Sequence, residues 1–281
     1  MALLFPLAAA ANSSADKLPD PIAQFDLPRE LREVSGLAVL DENTVVAHDD
    51  ERARIFTINL QTGSSALWLQ FGKKPVRGDF EGIARLRGFV YLMTSRGALW
   101  SARAPGADEA LPVIREDAEL TQQKTGLAKI CEVEGLSAAG TDLAIVCKAW
   151  TGRKRKIPRN HIRLFIFEPD AKGGQAQALR PVKPDERCQA GKRFAPSALV
   201  RGSDSAAATD YIMGLAAEDF RLWISRAPLK TYQTIKLNKT RHPQAEGLAV
   251  MPDGRIVIVD EQEKGDGGLL TVYPPLNTLI D

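Results

Sequence analysis

A short pattern returns five times along this chain, and nothing else in it constrains the fold so strongly. It reads Ser35-Gly36-Leu37-Ala38, Glu81-Gly82-Ile83-Ala84, Glu134-Gly135-Leu136-Ser137, Ser197-Ala198-Leu199 and Glu246-Gly247-Leu248-Ala249. Successive copies start 46 to 63 residues apart. That period suits a four-stranded propeller blade, which takes ~40–50 residues. A turn and a β-rich run follow each copy, at residues 44–47, 90–93, 143–146, 211–213 and 256–259. Pro252-Asp253-Gly254 is the clearest of the hairpin turns. A third run then carries an aromatic near one position, Phe56, Trp100, Phe165, Trp223 or Tyr273, which suits packing between neighbouring blades.

Outer strands are expected at residues 66–69, 112–114 and 234–237. The fifth copy has no room for one before Asp281, while residues 22–27 form a strand-like segment with no partner. Pairing the two leftovers closes a ring and removes an exposed edge. The expectation is an all-β, five-bladed propeller with four-stranded blades, closed by the N-terminal strand, as one domain over residues 19–281. Residues 117–125 read as one or two helical turns between blades. Residues 171–194, broken by Pro181 and Pro184, read as loop.

Several of these motifs resemble the SdiA-regulated family. They are Gly78-Asp79-Phe80-Glu81-Gly82-Ile83-Ala84, Cys131-Glu132-Val133-Glu134-Gly135-Leu136-Ser137, Ala144-Ile145-Val146-Cys147-Lys148, Phe194-Ala195-Pro196-Ser197-Ala198-Leu199 and Arg241-His242-Pro243-Gln244-Ala245-Glu246-Gly247-Leu248-Ala249. In this order they cover nearly the whole chain. The resemblance implies a five-bladed propeller distantly related to NHL repeats, with a calcium site and no established enzymatic activity. The chain departs from the family at Ala198, where glycine is usual, and in the basic loop after Cys147.

Inner strands line the channel of a propeller, so the first residues of the copies form a ring at one mouth: Ser35, Glu81, Glu134, Ser197 and Glu246. Three converging carboxylates repel one another unless protons or a cation compensate. A hard cation such as calcium takes oxygen ligands and suits this set, with the two serines adding hydroxyl contacts. The other reading has each glutamate bonding backbone groups of the next blade as a staple. A second acidic set follows the second runs of copies one and five, Asp49, Asp50 and Glu51 with Asp260, Glu261 and Glu263; most read as solvated hairpin loops, with Asp49 and Asp260 the best further candidate ligands. His48, His161 and His242 show no metal-ligand spacing and read as structural or surface residues. No nucleophile or phosphate-loop signature is present. The function expected is therefore a non-catalytic binder of a small molecule, glycan or protein at the channel mouth. The alternative is a metal-dependent hydrolase of a lactone or phosphate ester, like the gluconolactonase-like and phytase-esterase-like propellers, in which a channel metal activates water.

The net charge of +2 from 37 basic and 35 acidic residues gives no reason to expect nucleic acid. The start of the chain, with its run of small apolar residues before Asn12, resembles the end of a secretory signal over residues 1–18, so a periplasmic or secreted monomer is expected. Cys131 and Cys147 flank a hairpin and form either a disulfide or two buried thiols. Arg153, Lys154, Arg155, Lys156 and Arg159 make the densest basic run, either a solvated loop or a site for an anionic surface or glycan. Replacing these five cations with serine should leave the melting temperature within about 2 °C of wild type, because such charges cannot be buried unpaired. Co-sedimentation with anionic vesicles should weaken if the loop binds them. A large fall in stability would make the loop structural.

Overall fold

The computed structural model describes residues 17–150, 158–169, 174–186, 194–204, 209–262 and 267–275. Strand β1 (Ala23–Asp26) opens the chain. Blade 1 follows as β2 (Val34–Val39), β3 (Thr44–Asp49), β4 (Arg54–Asn59) and β5 (Ser65–Phe71). Blade 2 is β6 (Phe80–Leu86), β7 (Phe89–Thr94), β8 (Ala98–Arg103) and β10 (Thr121–Lys124), with β9 (Val113–Arg115) lying between the last two in sequence. Blade 3 is β11 (Cys131–Ala139), β12 (Asp142–Trp150), β13 (Arg163–Phe167) and β14 (Gln177–Ala178). After β15 (Lys183–Pro184), blade 4 is β16 (Val200–Asp204), β17 (Thr209–Ala216), β18 (Arg221–Arg226) and β19 (Thr231–Lys236). Blade 5 is β20 (Ala245–Val250), β21 (Arg255–Asp260) and β22 (Leu269–Pro275), completed by β1.

The closing pair is antiparallel, with Ala23 opposite Val272, Phe25 opposite Leu270 and Asp26 opposite Leu269. Beneath it Leu27 is buried, and the ring of Phe25 lies against Gly63 of blade 1. The first element therefore ties the last blade to the first.

The core is not one mass but five layers, one between each pair of neighbouring blades. Alternation along the second strands explains this, because successive side chains leave opposite faces. Val257 and Val259 pack with Val45 and Ala47 of blade 1, while Ile256 and Ile258 pack with Met213 and Leu215 of blade 4. Val46 turns the other way, towards Ile83, Val90 and Leu92 of blade 2. Each such side chain contributes about 1.5–3 kcal/mol relative to exposure. The third-strand aromatics Phe56, Phe165, Trp223 and Tyr273 are buried in these layers as expected.

Three local expectations change. Within the segment read as loop over residues 171–194, β14 pairs with β13 as the outer strand of blade 3 and β15 runs parallel to β19 of blade 4. Residues 113–115 do not complete blade 2; as β9 they run parallel to the outer strand β5 of blade 1, with Leu69 opposite Val113. The outer strand of blade 2 is the polar segment β10, pairing Thr121 with Ser101 and Lys124 with Ala98. Its side chains are largely exposed, so no hydrophobic alternation marks it. The helical turns expected at 117–125 reduce to a 3-10 turn over Asp117–Glu119, held by a reciprocal cap between Glu116 and Glu119.

Deleting residues 1–28 strips β22 of its partner and uncovers the layer between blades 5 and 1. The ring should lose on the order of 3–5 kcal/mol, comparable to removing a large buried side chain. Urea denaturation would read this as an earlier cooperative midpoint; an unchanged midpoint would refute closure by β1.

Candidate functional site at the channel mouth

The repeated Glu-Gly pattern is a β-bulge. In blade 1 the inner pair steps from Val34 opposite Asp49 to Gly36 opposite His48, leaving Ser35 as the extra residue. Glu81 is extra between Phe80 and Gly82, Glu134 between Val133 and Gly135, and Glu246 between Ala245 and Gly247. A bulge kinks the strand and re-aims one side chain. Here it aims four equivalent residues at one end of the channel. The glycine that follows has its own reason. A Cβ on Gly82 would stand 2.7 Å from the Leu136 nitrogen, and one on Gly135 would stand 2.9 Å from the Leu199 nitrogen. Neighbouring inner strands touch there, and only hydrogen fits. One residue further on, Leu37, Ile83, Leu136, Leu199 and Leu248 surround a channel with about 10 Å³ of free space. The channel is closed below its mouth.

Above that floor lies a cavity of about 140 Å³. Glu81, Glu134 and Glu246 line it, with Ser35, whose hydroxyl donates to Glu81 Oε2 at 3.0 Å. Three further carboxylates join them from the segments flanking the inner strands: Glu33, Asp50 and Glu261. Gln244 Nε2 donates to Glu261 Oε2. Lys148, on β12, reaches in from blade 3 with its Nζ 3.3 Å from Glu134 Oε1, and is the one cation lining this cavity among the described residues.

Six carboxyl groups against one ammonium leave the mouth short of positive charge. Burial, more than any neighbour, pushes the Glu246 carboxyl up to about 8. Burial followed by the charges of Glu33 and Glu261 pushes Asp50 up to about 7. Glu134 is raised by burial and then by Glu81; Glu81 is raised by burial, against the hydrogen bond from Ser35. Burial opposes charge on Lys148, but Glu134 and Glu246 outweigh it and its pKa rises. Burial thus favours the protonated form of these carboxyls near neutral pH.

Asp49 and Asp260 stand apart from this cavity. Asp49 Oδ2 pairs with Arg54 at 3.0 Å, and its Oδ1 accepts from the Arg52 backbone at 2.8 Å. Asp260 Oδ2 contacts His242 Nδ1 at 2.7 Å, and His242 Nε2 contacts the Tyr273 hydroxyl at 2.5 Å, in a fully buried chain. In each pair the next residue, Asp50 or Glu261, reaches the mouth instead. One step along a strand reverses the face. Ser197 lies just before β16, buried, donating to the Ala245 carbonyl at 2.8 Å, so it joins blade 4 to blade 5 and does not line the mouth. His48 is buried against the edge of Phe80. Arg159 is exposed, and residues 153–156 lie outside the described residues.

Calcium has a chemically suitable donor set here, all oxygen. Among the described residues no three Asp, Glu, His or Cys side chains form a ready-made metal cluster. The cation present among these carboxylates is Lys148, paired with Glu134. Cys131 and Cys147 form a disulfide between β11 and β12, the two strands that carry Glu134 and Lys148.

No protein-family model and no curated protein matches the chain. Among solved structures it is similar to glutaminyl cyclase from Myxococcus xanthus, at 17% identity and a TM-score of 0.54, over 90% of this chain and 95% of that one. It is similar also to the PQQ-bound aldose sugar dehydrogenase of Streptomyces coelicolor, at 13% identity and a TM-score of 0.54, over 93% and 99%. Both are β-propellers, and at such identity the likeness shows the fold alone.

The raised carboxyls fix the sign of a pH dependence. Folded, they bind protons more tightly than in the unfolded chain, where they titrate near pH 4. Their stabilisation is complete below that range and is lost as pH rises through about 7 to 8. Without added cations the melting temperature should fall between pH 5.5 and 9, and Glu134→Gln should flatten the fall. A melting temperature that rises across this window would show the carboxyls already neutralised.

Proposed function

We propose that this chain is an exported, non-catalytic propeller of the SdiA-regulated type that binds a cationic ligand at its channel mouth. The observation that carries the reading is the imbalance at the mouth: six carboxyl groups face one small cavity with a single ammonium among them. The ligand is a small molecule, or a glycan or protein partner presenting a cation. Export is supported by the Cys131–Cys147 disulfide, since such bonds persist in oxidising compartments. No helix among the described residues is long and apolar enough to cross a membrane. The protein acts as a monomer in this reading, and contact of the basic loop with an anionic surface is a separate, secondary proposal.

Calcium, the ion implied by the family resemblance, would compete with Lys148 for the oxygens of Glu81, Glu134 and Glu246. Hydrolysis of a lactone or phosphate ester is the alternative reading. It rests on Glu246, a half-buried carboxyl pushed up to about 8 by its surroundings, which suits a general acid. Turnover of such esters by the calcium-loaded protein would favour it over binding alone.

A ligand specific to the native state raises its melting temperature, by about 2.7 kcal/mol of stability at a hundredfold excess over Kd. Calcium added at pH 8 should therefore raise the melting temperature of the wild type. Lys148→Met should enlarge the increment by removing the competing cation, and Glu134→Gln should diminish it. If calcium leaves all three proteins unmoved while an alkylammonium salt stabilises the wild type, the ligand is organic. If neither acts, the mouth is a hydrogen-bonded staple rather than a binding site.

A further inference from the structure

Beside the channel mouth lies a cleft of about 330 Å³. Its walls are the 3-10 turn Arg29–Leu31 with the residues after it, and the segment from Asp49 to Arg54. Four arginines line it, Arg29, Arg32, Arg52 and Arg54, alternating with four carboxylates, Glu30, Glu33, Asp49 and Glu51. Glu33 is shared, lining both the cleft and the mouth, so the two cavities adjoin.

The arginines have acidic neighbours, yet their donors are in surplus. Arg54 spends Nη2 on Asp49, and its buried Nε has no hydrogen-bond partner among the described residues. Arg32 gives Nη2 to Glu33 at 2.7 Å. Arg52 stands 3.6 Å from Glu51, beyond good hydrogen-bond length. Arg29 makes no ion pair among the described residues. A guanidinium carries five N–H donors in a planar fork that matches a carboxylate or phosphate. A cleft of this volume is within the range that holds a small ligand.

We propose that this cleft binds an acid group, a carboxylate or a phosphate, and that cleft and mouth together recognise a dipolar ligand, acid group on the arginines and ammonium among the carboxylates. The second half rests on the cationic-ligand reading above; the first does not. The chemical class is an amino acid, a short peptide or an aminoalkyl phosphate. Glu33 stands between the two ends, and its pairing with Arg32 keeps it from repelling the acid group.

The test is calorimetry on the full chain with separate probes. Inorganic phosphate and acetate report the cleft and tell the two acid groups apart. Arg29→Gln with Arg52→Gln, both exposed or half-buried positions, should weaken whichever of them binds by about tenfold. Arg226→Gln, at an exposed position of blade 4 outside both cavities, should leave that affinity unchanged. Failure of the wild type to bind either anion, or equal binding by the double variant, would overturn the cleft assignment. Hexylamine, hexanoate and 6-aminohexanoate then report the combination, with shorter and longer ω-amino acids setting the span. The amino acid that fits should bind about tenfold tighter than either half-probe. If hexylamine fails while phosphate binds, the mouth reading falls and the cleft stands. If both halves bind but no amino acid of any length binds tighter than they do, the two cavities act independently and the dipolar ligand is overturned.

Discussion

The structure depends on how closely five inner strands can approach the propeller axis. At Gly82 and Gly135 the backbone of one blade lies within contact of the next, with no space for a methyl group. That approach brings the second strands of adjacent blades into packing range, and the five hydrophobic layers follow from it. It also sets the channel bore, which the ring of leucine and isoleucine side chains nearly fills. A wider ring would open the channel and thin every layer at once. Blade 4 shows the tolerance: Ala198 stands where the other copies have glycine, and there Ser197 is drawn into a bond with blade 5 rather than aimed at the mouth.

The same bulges that allow the approach also concentrate charge. Carboxylates repeated by the fold cannot avoid one another, because each blade delivers its own to the same place. Burying them disfavours ionisation, and the partial answers are local: a serine for Glu81, a lysine for Glu134, an amide for Glu261. None of these restores neutrality. The Asp260–His242–Tyr273 chain of blade 5, by contrast, closes on itself. A closed network and an open, carboxylate-rich one thus stand a single residue apart.

The disulfide joins the two strands of blade 3 that carry Glu134 and its lysine. It lies beside the bulge, where the ladder between β11 and β12 loses regular pairing. A covalent tie there holds the hairpin where backbone hydrogen bonding is interrupted.

The order of blades, the identity of the second and third strands and the closure by the first strand were legible in the sequence. Each rests on local pattern: a repeated bulge motif, alternating apolar runs and an unpaired strand at each end. The gathering of Glu81, Glu134 and Glu246 was legible too, because equivalent positions in a ring must converge. Lys148 and Glu33 were not, since neither carries a signal of its own, and Asp50 and Glu261 showed only as members of acidic runs that also read as solvated loops. Asp49 and Asp260 were singled out where their neighbours Asp50 and Glu261 were needed, because which face a strand-end residue takes depends on the blades beside it. β10 escaped for a related reason, being an outer strand with no apolar face to show. The sequence by itself determined the ring, since repetition and period are local properties. Only the tertiary structure decided which charges meet, because residues from blades 1, 2, 3 and 5 share one cavity across separations that no motif spans.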